Sequence, residues 1–250
     1  SDQHQMLPTN HASRYNGSFF PEYIRRIVRY PQMDIEYTFW QMFHLCVNPS
    51  RVYRTTSYHK QTKNQWARDD PAFVAILIFF MGIASFSYAI AFQSESLFGM
   101  LRLILWAIFI DFILFGCIIA TANWFIANTW LRTKSHMEFS VDQKVEWLYA
   151  FDIHCNSFFP LFLILYVFQF FLLPLAMSTS FLATFFFNLL YAAAVSYYFH
   201  ITFLGFNALP FLQNTVAFLY PIGLVIVVYL LALVFNFNFC IFVMNLYFGK

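Results

Sequence analysis

The sequence predicts an all-α membrane protein: five transmembrane helices, preceded by an N-terminal cytosolic or interfacial helical segment. Three observations carry this. Hydrophobic residues make up 60% of the chain and charged residues 10%, where a soluble domain carries roughly 25% charged residues. Between Asp152 and Lys250 there is no Asp, Glu, Lys or Arg. A soluble fold with so long an uncharged run would lack a solvated face, so lipid is the second solvent. Finally, five apolar stretches each approach the roughly 20 residues needed to cross a hydrocarbon core.

The first 20 residues are polar and are expected to be a disordered tail. Residues 21–70 form a basic, amphipathic segment ahead of the membrane. From Asp34 to Val47 the apolar residues Ile35, Phe39, Met42, Phe43 and Cys46 recur at helical spacing, which predicts a helix lying in the headgroup plane or under the bundle. Pro31 and Pro49 bracket it and should stop it at both ends. At the membrane entry, Asp70 suits a helix cap and Pro71 suits the first turn, where a missing N–H costs nothing.

The bundle occupies residues 71–250, with spans expected at about 71–92, 101–126, 145–173, 181–204 and 216–239. The third is long enough to tilt, or to begin as an interfacial helix near Trp147 and Tyr149. The link from Gly205 to Gln213 is short, apolar and broken by Gly205 and Pro210, so it should pack against helices or dip into the interface.

Charge location orients the chain. Nine of the 14 basic residues precede the first span: Arg14, Arg25, Arg26, Arg29, Arg51, Arg54, Lys60, Lys63 and Arg68. Arg132, Lys134 and Lys144 lie between spans two and three, while the link between spans three and four has none. The positive-inside rule then puts the N-terminus in the cytosol and the C-terminus in the lumen. The basic segment suits a solvated cytosolic region, and equally contact with anionic lipid, an acidic protein or RNA. Tyr53, Tyr58 and Trp66 among the charges between Arg51 and Arg68 are compatible with RNA stacking, without any RNA-binding fold signature.

Inside the spans, Asp111 in the second and Asp152, His154 and Asn156 in the third are costly in lipid and therefore informative. They read either as a proton- or ion-binding cluster or as a polar contact that fixes helix packing. Asp152 and His154, two apart, point about 200° away from each other on a straight helix, whereas Asn156 shares the face of Asp152. The four cysteines have no paired spacing, and no phosphate loop, metalloprotease motif or nucleophile elbow occurs. No cofactor, metal or catalytic residue is expected.

Four stretches carry a resemblance: QMDIEYTFWQM (Gln32 to Met42), RVYRTTSYHKQTKNQWARDDPAF (Arg51 to Phe73), AFDIHCNSFFP (Ala150 to Pro160) and TFLGFNALPFLQNTVAFLYP (Thr202 to Pro221). Together they resemble the uncoordinated-fifty family of Golgi membrane proteins. The resemblance implies five spans, a cytosolic N-terminus and a Golgi location, with the ER or inner nuclear membrane as further locations. It also implies a non-enzymatic trafficking or assembly role, with Arf exchange factors and receptor subunits such as those of nicotinic acetylcholine receptors as partners, and RNA as a further one. A lipid- or ion-handling protein using the Asp/His cluster is the alternative reading, and an RNA-binding membrane adaptor another.

Overall fold

The computed structural model describes residues 34–55, 66, 68, 70–92, 96–133, 143–178 and 180–249. Arg25, Arg26, Arg29, Lys60 and Lys63, like the N-terminal tail, lie outside the described residues.

The described chain is helical almost throughout. Helix α1 (Ile35–Val47) begins at Asp34, whose side chain accepts the Tyr37 N–H. It ends at Asn48, and α2 (residues 49–55) begins with Pro49 in its first turn, as the ring's fixed φ and missing N–H allow. Five helices are long and apolar enough to cross a membrane: α3 (Ala72–Ala91), α4 (Leu97–Leu131), α5 (Trp147–Phe171), α7 (Phe181–Asn207) and α8 (Thr215–Val234). A short α6 (Leu173–Ala176) joins α5 to α7. The predicted spans match these within a few residues, except that α8 stops at Val234, short of the expected 239, and that α4 extends past both expected ends. Expected to begin at 101 and stop at 126, it continues through a π-helical last turn, Ala127–Leu131.

Two further features were not foreseen. Wider π turns interrupt α4 at Ala107–Leu114 and α5 at Leu163–Phe168, and such turns inside long helices mark displaced side chains and frequently functional positions. After α8 the chain reverses through Asn236, with φ 48°, into a short helix, α9 (Phe239–Phe248). Asn tolerates this left-handed backbone because its short polar side chain can hydrogen-bond locally.

The centre of the bundle is α5, which packs against α1, α3, α4 and α7. A near end is defined by the starts of α3, α5 and α8 and the ends of α4 and α7. There the apolar Gly205–Gln213 link does pack against helices: Leu131 O accepts the Gln213 N–H at 2.8 Å, and Phe211 O accepts that of Thr133 at 3.0 Å. Leu209 and Leu212 are buried with Trp66, Leu131 and Tyr149. By contrast α8 has only 11% of its span buried inside the protein, and its exposed Leu224, Val227, Leu231 and Val234 suit lipid.

Of the apolar stripe expected on α1 only Met42 packs under the bundle. Thr38, Gln41, Met42 and Leu45 are buried, while Phe39, Phe43, Cys46 and Val47 are exposed. The inward face was not foreseen because Gln41 has a partner in the bundle. Met42 and Leu45 join one core with Leu77 and Met81 of α3, Phe158 of α5 and Ile201 of α7.

Two asparagines on apolar helices hold the connections. Asn128 of α4 donates to Val145 O at 3.1 Å and accepts the Val145 N–H at 2.9 Å. Asn188 of α7 donates to Phe237 O at 2.7 Å and accepts the Phe239 N–H at 3.0 Å. Each amide satisfies a backbone donor and acceptor that lipid would leave bare. Asn188→Leu should therefore release α9. We expect a loss of about 1–3 kcal/mol in stability, and faster maleimide labelling of Cys240, which is fully buried in the native fold, measured by thermal unfolding and mass spectrometry in detergent.

Candidate functional site

The site is built around the first half of α5. Tyr149, Asp152 and Asn156 lie along one side of it, and the chain entering α3 runs alongside in the same direction. Trp66 packs on Tyr149, Arg68 on Asp152, and Phe73 on Phe159. From Tyr149 to Phe159 is about 15 Å of helix at ~1.5 Å per residue.

Arg68 is the hub. Its backbone N–H donates to Asp152 Oδ2 at 2.7 Å, and its Nε lies 3.7 Å from Asp152 Oδ1. Nη2 donates to Asn156 Oδ1 at 2.6 Å and to Asp152 O at 3.2 Å. Nη1 donates to Gln41 Oε1 on α1 at 3.2 Å. The guanidinium also stands 4.3 Å from the Phe73 ring, a cation–π geometry. Asn156 Nδ2 donates onward to the Tyr53 hydroxyl of α2 at 3.3 Å. The side chains of Arg68 and Asp152 are only 18% and 8% exposed. Expected among the partner-facing cations, Arg68 is instead turned into the bundle, because its planar fork meets a carboxylate, an amide and a carbonyl there at once.

Asp70 extends the junction. Its Oδ1 accepts the Ala72 N–H at 2.9 Å and its Oδ2 accepts the Asp34 N–H at 2.8 Å. One carboxylate thus caps α3, just past Pro71, and ties it to the start of α1.

The intramembrane Asp/His cluster does not assemble. Asp152 and Asn156 share Arg68, as their spacing of four allows. His154 turns away: its Nε2 lies 3.2 Å from Phe112 O and its Nδ1 2.7 Å from the Tyr198 hydroxyl. A carbonyl can only accept, so Nε2 carries a proton and donates to Phe112 O, while Nδ1 pairs with the Tyr198 hydroxyl. The imidazole sits over Gly116, where an added Cβ would come 2.5 Å from Cδ2. Asp111, on the π turn of α4, is held elsewhere. Its Oδ2 accepts from Tyr166 of α5 at 3.0 Å and from Tyr247 of α9 at 2.5 Å. Among the described residues no three His, Cys, Asp or Glu side chains converge on a metal position.

Gln41, Tyr166, Tyr198 and Tyr247 complete these contacts and were not foreseen; Gln41 alone of the four left a trace in the sequence, as a polar residue beside Met42 on a membrane-proximal helix. Tyr53, expected as a surface stacking residue, is buried instead and accepts from Asn156.

The surface cations Arg51 and Arg54 are exposed on α2. Arg51 Nη1 meets His44 Nε2 at 3.1 Å, and its guanidinium lies 5.6 Å from the Trp40 ring. Burial pushes the Tyr53 phenol above its ordinary range.

Five long apolar helices wrapped around a polar junction define a multi-pass α-helical membrane protein. The UNC-50 family matches residues 23–248, and the chain belongs to that family. "Protein unc-50 homolog" of Dictyostelium discoideum is 61% identical over 238 residues, covering 95% of this chain and 90% of that one. The human "Protein unc-50 homolog" is 42% identical over 236 residues, covering 94% and 89%. No solved structure matches the chain.

Arg68→Ala should remove the cation shared by Asp152, Asn156 and Gln41 and cost about 3–5 kcal/mol, whereas Arg68→Met with Asp152→Leu should recover most of that; thermal unfolding in detergent reads both.

Proposed function

We propose that this protein is a non-enzymatic trafficking or assembly factor of Golgi and early secretory membranes. The observation that carries the proposal is the anchoring of α1 and α2 through Gln41, Tyr53 and Asp34 to the Arg68–Asp152–Asp70 junction. A helix pair fixed in this way can present a surface with little ordering cost on binding. Its free side carries Phe43, Val47, Arg51 and Arg54, a mix of apolar and cationic groups suited to an acidic, apolar partner face. Arf exchange factors are the partner class, and membrane receptors such as nicotinic acetylcholine receptors the cargo class, that the resemblance implies. Orientation rests on charge. Arg132 and Lys144 sit at the near end with the N-terminal segment, which supports a cytosolic near end. Five spans then bring the C-terminus to the lumen.

The test is proximity labelling in cells, with the labelling enzyme fused to the N-terminus. Arg51→Glu with Arg54→Glu should lose labelling of exchange-factor proteins, while the bundle keeps its thermal stability. An unchanged set of labelled trafficking proteins would count against the proposal.

A further inference from the structure

The far half of the bundle contains a partly open cavity of about 200 Å³. It is enclosed by α3, α4, α5, α7 and α9, on the opposite side of His154 from the Arg68 junction. Most of its wall is apolar: Leu103, Phe158, Leu161, Leu165, Val243 and Phe248. Set into that wall is a group of polar side chains whose hydrogen-bonding capacity the fold does not fill. Gln169 is completely buried beside the Tyr88 and Tyr191 hydroxyls, yet neither its Oε1 nor its Nε2 makes a well-formed hydrogen bond among the described residues. The Tyr88 and Ser85 hydroxyls, on residues 5% and 3% exposed, make no well-formed hydrogen bond there either. All three line the same cavity.

Other amides of the bundle are more fully used: Asn128, Asn156 and Asn188 each engage both ends, while Asn238 uses only its oxygen, to cap α9. Buried polar groups in native proteins are satisfied by protein, water or ligand, and each exception calls for a cause. At Gln169 the unmet valences are both donors and acceptors, and they converge with two hydroxyls on one space.

The charge around the cavity narrows the occupant. No Lys, Arg or His lines it, so an anionic head would have no counter-charge. Asp111 stands behind the wall, engaged by the Tyr166 and Tyr247 hydroxyls, and would repel an anion further. Its carboxylate does not line the space, so nothing there matches a cation directly. A neutral group that both donates and accepts fits Gln169, Tyr88 and Ser85. The size fits a chain rather than a rigid ring system: an apolar cavity of about 150 Å³ holds a benzene. The space thus takes a polar head and the first several carbons, with the rest of the chain leaving through the open side.

We propose that this cavity binds a neutral single-chain amphiphile, an alkyl chain ending in a hydroxyl or protonated carboxyl, with its head on Gln169, Tyr88 and Ser85. Such a molecule is available from the bilayer and would join α5 to α9. The site is separate from α1 and α2, so it stands or falls independently of the trafficking role.

The test uses the full chain in lipid nanodiscs with photoreactive alkyl diazirine probes of equal length bearing a hydroxyl, a carboxyl, an amine or a plain methyl end. The hydroxyl or carboxyl probe should label peptides holding Leu161–Gln169 and Val243–Phe248, and unlabelled dodecanol or lauric acid should compete. Which of the two competes better identifies the head. Gln169→Leu should cut this labelling at least tenfold without lowering the thermal midpoint. Leu165→Trp, which fills the cavity from its wall, should also abolish it, and decides the matter if Gln169→Leu does not fold. Three results would overturn the proposal: labelling spread over the lipid-facing side of α8 without competition, the methyl or amine probe equalling the neutral polar ones, or unchanged labelling in both variants. The first of these would leave water as the occupant of the cavity.

Discussion

The architecture at the near end depends on one buried cation. Arg68 enters the bundle beside the first two turns of α5, where an isolated charge would be prohibitively expensive. It is tolerated because Asp152 balances it and because Asn156, Gln41 and a backbone carbonyl take up its remaining donors. Once that cation is placed, much else follows. The approach to α3 is set, α1 must turn Gln41 inward, and Tyr53 brings α2 against Asn156. Asp70 then links the starts of α1 and α3. Such an ion pair adds little net stability compared with an apolar filling, but it penalises any arrangement that leaves a charge behind. Its effect is to select one docking of the N-terminal helices.

Away from that junction, the bundle is joined by neutral polar groups. Apolar attraction between helices discriminates poorly in lipid, since the tails are as apolar as leucine. Asn128 and Asn188 therefore matter beyond their number. Each binds a returning backbone at both N–H and C=O, one at each end of the bundle. Small residues do the complementary work. Gly116 lets His154 lie against α4, and Gly205 lies against Ile153 while its carbonyl accepts from Tyr149 at 2.8 Å. Against this background, Gln169, Tyr88 and Ser85, which make no well-formed hydrogen bond around one cavity, stand out as chemistry directed at something outside the chain.

The spans were legible in the sequence because hydrocarbon imposes a length and an absence of charge on each of them. So was the membrane entry, since Asp70 and Pro71 suit a helix start by local chemistry alone. The pairing of Asp152 with the face of Asn156 was legible from helical period. The split of Asp111, Asp152 and His154 into three separate contacts was not. Each is decided by a partner far along the chain: Arg68 is 84 residues before Asp152, Tyr247 is 136 after Asp111, and Tyr198 is 44 after His154. The inward face of α1 was not legible for the same reason, because the buried Gln41 is matched by Arg68.

By itself, then, the sequence determined an α-helical membrane protein with five spans, a cation-rich N-terminal segment and a small set of polar residues that lipid would not tolerate unpaired. Composition and period are enough for this, since both are properties of each segment alone. Which polar residues meet, which cations turn inside the bundle and which remain at the surface, how α9 folds back, and where a cavity opens beside Gln169, Tyr88 and Ser85 were decided only by tertiary structure. Those outcomes depend on three or more helices converging, and no pattern within one helix encodes the position of the others.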